Sequence, residues 1–442
     1  MEWLIISSAA ISHPKITLIE MEKKKMRKYI LVVFMIMMFA CSLGQGAAKQ
    51  SATASANSST ETNAPSISQP VETQVAESST TNASSPTAAQ EIAPTNMPPP
   101  AVVATQPSGL TAVNEIDSAR VGKLFDARTY ANPNIAGLTF RTSWADIEPT
   151  EGNFVWTKLD MVFDNAEKNG KWVELILIPG FGTPAWALQG VPTAIFTVNY
   201  GPGKGDQLPL PMPWDQTYLN RWFAFLKTVS ARYQNRPSFL KIAADGPTSI
   251  TGEMTLPNEP ADRCTWIKVG YTSDRIIGAW KQVFANYAQI FPRQYFSLAL
   301  FPPLPIVSTT RCENGNPVGT SADESQRVRA VIVGLGADNY PKQFVLQENG
   351  LSASKSEDLV VNVGDYDVVK SYSGKVVTGF QLSTSAIQDP TAMGDPDGPT
   401  ALQKSLQLGL DAHVQFLEVQ EPDVLSSATQ NVLATIARAL VH

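Results

Sequence analysis

Eight strand candidates alternate with helix candidates over residues 107–442, and they predict an α/β fold whose parallel sheet closes as a (β/α)8 TIM barrel. Three observations carry this expectation. A strand, a helix and a strand follow one another at 137–143, 157–169 and 172–178, the spacing of a βαβ unit whose parallel strands are covered by the helix between them. The same alternation continues to the end of the chain. No Gly-x-Gly-x-x-Gly follows the first strand, and the Gly-Leu-Gly at 334–336 lacks the remainder of that pattern, which disfavours an open nucleotide-binding sheet.

Taken in order, the strand candidates are 107–113, 137–143, 172–178, 239–244, 295–300, 343–347, 375–381 and 413–419. The first is the least patterned. The third, VELILIP, is an apolar run broken only by Glu174. Helix candidates are 157–169, 216–234, 273–290, 322–334, 399–410 and 425–440. A Gly- and Pro-rich insert at 187–215, with Tyr200 and Trp214, follows the third strand and reads as a cleft wall. This numbering matters because barrel sites lie at the C-terminal ends of the strands.

Two segments precede the barrel. Residues 1–41 read as a targeting signal: Lys23, Lys24, Lys25, Arg27 and Lys28 come before the short apolar run YILVVFMIMMFA. That run falls short of the ~20 residues of a membrane span. Cys41 follows it in M-F-A-C-S, which resembles a bacterial lipobox and implies lipidation; cleavage near Ala47 or Ala48 is the alternative. Residues 42–106 are mostly Ser, Thr, Ala, Pro, Gln and Asn, a composition that buries too little apolar surface to offset its ordering entropy. It reads as a disordered stalk. The chain is therefore expected to be exported, as a cell-surface lipoprotein or a secreted protein, touching membrane only through that anchor.

Composition narrows the chemistry. A net charge of −6 without a basic patch in the folded part argues against nucleic acid as a partner. The 3 histidines, His13, His413 and His442, are scattered, so neither a zinc site, nor any other metal, nor a Ser-His-Asp set is expected. No cofactor is implied. Cys264 and Cys312 fall in loops after the fourth and fifth strands, and an oxidising compartment suggests that they pair.

The segment WADIEPTEGNFVWTKLD resembles the early barrel region of the large clan of (β/α)8 glycoside hydrolases with two catalytic glutamates. Trp144, Ile147, Glu148, Pro149, Gly152, Phe154, Trp156, Leu159 and Asp160 carry the match, and GFGTPAW at 180–186 looks like a sugar-facing loop. The same residues would also serve plain packing, as a turn followed by a helix laid on a sheet. The resemblance implies hydrolysis of glycosidic bonds in an oligo- or polysaccharide by two carboxyl groups facing across a cleft, one donating a proton and the other attacking the sugar or activating water.

Acids near strand ends are the candidates. Glu253 lies a short loop past the fourth strand, between Gly252 and Met254, and is expected as the general acid. Glu348, in F-V-L-Q-E-N-G-L at the tip of the sixth strand, is its expected partner. Glu259, in Asn258-Glu259-Pro260, and Glu418, near the end of the eighth strand, are the alternative pair; Glu418 could instead reach Arg141. The clan places its nucleophile at the end of the seventh strand, where this chain has Gln381. That departure motivates a second expectation, a barrel that binds glycans or scaffolds a surface complex without cleaving anything. Expected sugar contacts are Arg141, Trp144, Asp146, Trp186, Trp214, Asp245 and Gln381, with Phe181, Trp266 and Tyr271 as further stacking surfaces. Trp156 and Trp172 read as core.

Overall fold

The computed structural model describes residues 105–117, 119–199, 201, 203–249, 253–355 and 364–440. The targeting segment, the stalk, Cys41, Tyr200 and Gly252 lie outside the described residues. The eight barrel strands are β1 (Gly109–Val113), β2 (Gly137–Ser143), β3 (Trp172–Ile178), β4 (Phe239–Ala243), β5 (Tyr295–Leu300), β6 (Phe344–Leu351), β7 (Val377–Leu382) and β8 (Phe416–Gln420). They close in the order β1-β8-β7-β6-β5-β4-β3-β2, all parallel, with β1 joined to both β2 and β8. The least patterned strand is thus the one that closes the barrel.

The helices include α1 (Ala127–Ala131), α2 (Thr157–Lys168), α3 (Gln216–Tyr233), α4 (Ser273–Ile290), α5 (Ala322–Asn339), α6 (Asp365–Tyr372), α7 (Gly398–Asp411) and α8 (Gln430–Ala439). Each long helix buries one stripe against the sheet. In α2 it is Leu159, Val162, Phe163 and Ala166, and in α4 Ile276, Trp280, Val283, Phe284 and Tyr287, at the three- and four-residue spacing of a helix face. Side-chain caps start them: Asp215 accepts from Tyr218 N–H, Thr272 from Arg275 N–H, and Asp397 from Thr400 N–H. Helix α6 has no counterpart among the sequence expectations. It is eight residues long and buries only Val369, too little for a periodic signal.

Two hairpins and a helix rise from the C-terminal face. The insert after β3 is a hairpin, Thr193–Thr197 with Gln207–Pro211. The loop after β5 carries a second, Arg311–Glu313 with Asn316–Val318. Between them lies the helix Pro260–Lys268, whose Trp266 stacks on Phe196 of the first hairpin at 4.1 Å between ring centroids. Cys264 of that helix is disulfide-bonded to Cys312 of the second hairpin. The loops after β3, β4 and β5 therefore form one braced wall.

Candidate active site

The floor of the site is a charged layer inside the barrel. Lys241 on β4 places Nζ 2.9 Å from Glu174 Oε2 and 3.1 Å from Glu418 Oε1, and donates to Gln347 Oε1 at 2.8 Å. Thr139 Oγ1 lies between the two glutamates, 3.0 Å from Glu174 Oε2 and 3.1 Å from Glu418 Oε1, with its single O–H to share, and Ser297 donates to Glu174 Oε1 at 3.0 Å. Glu174, Lys241 and Glu418 are fully buried. Two carboxylates share one ammonium here. Burial raises the Glu174 carboxyl well above the usual range, and the repulsion of Glu418 adds to that against the opposing pull of Lys241. Its place in this layer is why an acid interrupts the apolar third strand. Glu418 faces the lumen, as strand alternation requires, but it is tied into this closed layer and not open to a glycan.

Above that floor the chain of β4 is interrupted and resumes. Ala244 N–H donates to Ser297 O, the chain then loops out, and it returns so that Glu253 pairs in parallel with Ala299 and Met254 N–H donates to Ala299 O at 3.0 Å. Glu253 thus stands at the tip of a continued fourth strand, although the sequence places it in a loop beyond. Its Oε2 accepts from Thr255 Oγ1 at 3.1 Å and its Oε1 from Asn349 Nδ2 at 3.3 Å. Arg141, at the end of β2, feels the charge of Glu253 most strongly, then that of Glu418. Its guanidinium donates to Asn114 O at 2.6 Å, and Asn114 Oδ1 accepts from Arg141 N–H at 2.6 Å.

Asp245 and Gln381 complete the well. Asp245 is fully buried, and neither carboxylate oxygen has a hydrogen-bond partner among the described residues. Burial lifts its pKa far above the ordinary range, and Glu174 and Glu253, when ionised, lift it further. Gln381, on β7, is 4% exposed, lies beside Glu418 in register, and leaves Oε1 without a partner among the described residues. A small apolar patch lies between β3 and β4, where Ile116 packs on Ile176, Ile178 and Ala243.

Glu348 does not sit at a strand tip, because β6 runs on to Leu351 through an irregularity after Glu348. In register it lies beside Leu300 and Phe380, which belong to the outer core, while Gln347 and Asn349 occupy the alternate side. Glu259 is the N-cap of the helix Pro260–Lys268, its N–H donating to Asp262 Oδ2 at 3.3 Å, and it is exposed. Asn-Glu-Pro is here a helix start.

Several expected sugar contacts turn out to be framework. Trp144 is fully buried and packs on Trp186, Trp222 and Phe225. Its indole N–H donates to Glu148 Oε2 at 2.9 Å, and Glu148 Oε1 accepts from Gly152 N–H at 2.9 Å. The motif glutamate therefore locks a turn. Asp146 accepts from Thr142 Oγ1 at 2.6 Å and pairs with Lys158 at 3.0 Å. Trp186 is half-buried, donating to Glu148 O at 3.1 Å. Trp214 is half-buried against Trp266 and Tyr271, both in the core. Arg141, Asp245, Gln381 and Glu253 do converge. Sequence reasoning missed Asn114, Asn349 and Lys241; for Lys241 the signal was present, a charge inside the otherwise apolar FLKIAA. Among the described residues no group of three or more His, Cys, Asp or Glu is placed to hold a metal ion.

Residues 125–291, less than half of the chain, match the family profile described as Beta-galactosidase, of glycoside hydrolase family 42. Similar solved structures include the beta-galactosidase from the psychrophilic Marinomonas ef1, at 11% identity and a TM-score of 0.42, covering 75% of this chain and 59% of that one. Xylanase 10B from Thermotoga petrophila RKU-1, in complex with xylobiose, is similar at 12% identity and a TM-score of 0.45, covering 76% and 95%. A catalytic mutant of Gan42B, a GH42 beta-galactosidase from G. stearothermophilus, is similar at 12% identity and a TM-score of 0.44, covering 77% and 57%. The chain thus spans little more than half the length of these two beta-galactosidases. No curated protein sequence matches it. With a closed barrel of eight parallel strands and the family match running from before α1 to the end of α4, the chain is a member of the (β/α)8 glycoside hydrolase clan.

Proposed function

We propose that this protein hydrolyses glycosidic bonds of an extracellular or cell-surface oligo- or polysaccharide, with Glu253 as the proton donor to the leaving oxygen. One observation carries the reading. The chain leaves the barrel after β4 and comes back into register, at the cost of a long excursion, and the residue this returns to the mouth is a glutamate held by Thr255 and Asn349 beside Arg141. A carboxyl group at a strand tip, fixed by a side chain two residues on and by another from β6, is what positioned general acid catalysis needs. Glu348 is the proposed partner, as nucleophile or base, and reaching the cleft from its register position would use the irregularity that follows it in β6. Residues 1–41 and 42–106 support export and a flexible tether, with lipidation at Cys41.

The test is turnover. Purified residues 105–442 should release reducing ends from some member of a broad glycan panel, and Glu253→Gln should abolish that release while the fold is kept. Gln381 favours a second reading. An amide stands on β7 where the resemblance places a nucleophile, as suits a barrel that binds glycans without cleaving them. Tight oligosaccharide binding with no product over the whole panel would select that reading.

A further inference from the structure

We propose that Arg120 is an anion-recognising residue at the rim of the barrel mouth, and that the glycan this protein takes carries an acidic group, a uronate carboxylate or a sulfate ester. This deepens the reading above and relies on it only for where the cleft lies.

Arg120 belongs to the segment that leaves β1 and folds over the mouth. Ile116 and Gly122 bridge across that fold, and a Cβ on Gly122 would come within 2.2 Å of Arg141 O, so the segment lies tight against the end of β2. Arg120 adopts φ 61°, a left-handed conformation that costs a non-glycine residue on the order of 1 kcal/mol or more. Two backbone bonds hold it there: its N–H donates to Asp117 O at 3.0 Å, and its C=O accepts from Ser143 N–H at 3.1 Å.

The side chain presented in this way is only 6% exposed, yet Nε and Nη2 have no hydrogen-bond acceptor among the described residues. Phe181, in the loop after β3, lies 5.7 Å from the guanidinium carbon. Asp206 is near enough to act electrostatically but accepts no bond from it. A buried donor left unpaired costs roughly 1–3 kcal/mol, and here two stand on one group. Nε–H and Nη2–H form the side-on edge of the guanidinium, whose parallel donors match the two oxygens of a carboxylate or sulfate. A single sugar hydroxyl would satisfy one donor; an oxyanion satisfies both. Arg141, across the Gly122 contact, also has a buried Nε without an acceptor, so among the described residues the donors here outnumber their partners. Two adjacent hydroxyls of a neutral sugar can also accept from both donors, but they bring no charge to the buried guanidinium, and charge-assisted bonds are roughly twice as strong.

The test is calorimetric binding of trisaccharides of galactose, glucose and mannose, each prepared neutral, with C6 carboxylates and with C6 sulfates. For at least one backbone an acidic form should bind about tenfold tighter than the neutral form, and which acid does so identifies the source of the anion. Raising the salt concentration should weaken that form alone. Arg120→Gln should remove the preference, so that the acidic and neutral forms bind alike. If that variant does not fold, Arg120→Lys, which keeps the charge and loses the fork, should cut the preference about fivefold. Neutral forms binding as well as acidic ones on every backbone, no binding by any form, or a preference untouched by substitution would overturn the proposal. Because heat and not turnover is read, an anion preference in a protein that cleaves nothing would sink the hydrolase reading alone, and cleavage without a preference would sink only this one.

Discussion

Lys241 and Glu174 meet at 2.9 Å in the middle of the barrel, neither side chain reaching solvent. Glu418 shares the same ammonium at 3.1 Å. Removing one partner of a buried pair strands the other charge, at about 3–5 kcal/mol, whereas replacing both with apolar groups of similar volume is often neutral. Lys241→Met should therefore lower the unfolding free energy by about 3–5 kcal/mol in urea titrations. Lys241→Met with Glu418→Met should recover most of that loss, because burial raises the Glu174 carboxyl and, with Lys241 gone, nothing opposes its taking up a proton. Equal losses in the single and double variants would show that the layer is held by packing and not by charge.

Glu174 and Asp245 also give the barrel a pH dependence. Both carboxyls have folded pKa values raised by burial, against about 4 in the unfolded chain. Above that value the folded state binds more protons than the unfolded one, so stability falls as pH rises toward the folded pKa values. Surface acids with depressed pKa values, such as Glu324 beside Arg327, titrate below this window and do not oppose the trend. Thermal unfolding should shift to lower temperature between pH 5 and pH 8. Glu174→Gln, which keeps an acceptor for Ser297, should flatten that shift, and Asp245→Asn should flatten it further. A melting temperature that rises over the same range would contradict the assignment.

The sequence motif from Trp144 to Gly152 is a structural lock, and this can be tested apart from function. Glu148→Ala removes the acceptor of a buried indole N–H and of Gly152 N–H. The stranded indole N–H of Trp144 should cost about 1–3 kcal/mol, the exposed Gly152 N–H turning to water, while the folded fraction keeps its glycan affinity. A loss of affinity without a loss of stability would place Glu148 in the site after all.

The Cys264–Cys312 bridge closes a separation of 48 residues and ties the helix Pro260–Lys268 to the hairpin after β5. Chain-entropy arguments put its contribution near 4 kcal/mol as an upper figure. Replacing both cysteines by serine should lower the unfolding temperature and leave the β4–β5 register intact. An unchanged unfolding temperature in oxidising buffer would mean that the wall is held by the Phe196–Trp266 stack alone.

What was legible in the sequence was what has a period. Strands 137–143, 172–178 and 295–300 coincide with β2, β3 and β5, because apolar runs and flanking turns mark them, and the weak candidate at 107–113 closed the barrel as β1. Helix α6 was not legible, since one buried residue makes no pattern. Pairing across a gap was not legible either. Nothing local says that the chain after Ala244 returns to β5, so Glu253 read as a loop acid. Nor does any local signal say that β6 continues past Glu348, or that Trp144, an aromatic at a strand end, turns inward to Glu148. Aromatic residues near a mouth look alike in sequence whether they stack on a sugar or on one another.

The pair Glu253 and Glu348 makes a kinetic prediction that separates their roles. A proton donor matters most when the leaving group is a poor one, so Glu253→Gln should slow a natural glycan by ~100-fold or more and spare an activated aryl glycoside in part. A nucleophile or base acts on the sugar carbon whatever departs, so Glu348→Gln should slow both substrates alike. If Glu348 is a nucleophile, azide added to a small-residue variant, Glu348→Ala, should yield a glycosyl azide of inverted configuration. Substituting Glu259 and Glu418 by glutamine supplies the contrast. Glu259→Gln should leave rates near wild type because its side chain is an exposed cap, and Glu418→Gln should act through stability, its carboxyl lying in the closed Lys241 layer. Measured with both substrate types on protein shown to be folded, near-normal rates on a natural glycan in both Glu253→Gln and Glu348→Gln would remove the pair. An undiminished Glu253→Gln alone would be enough to reassign the donor, and Asp245, buried beside it with its pKa raised, would be the group to substitute next.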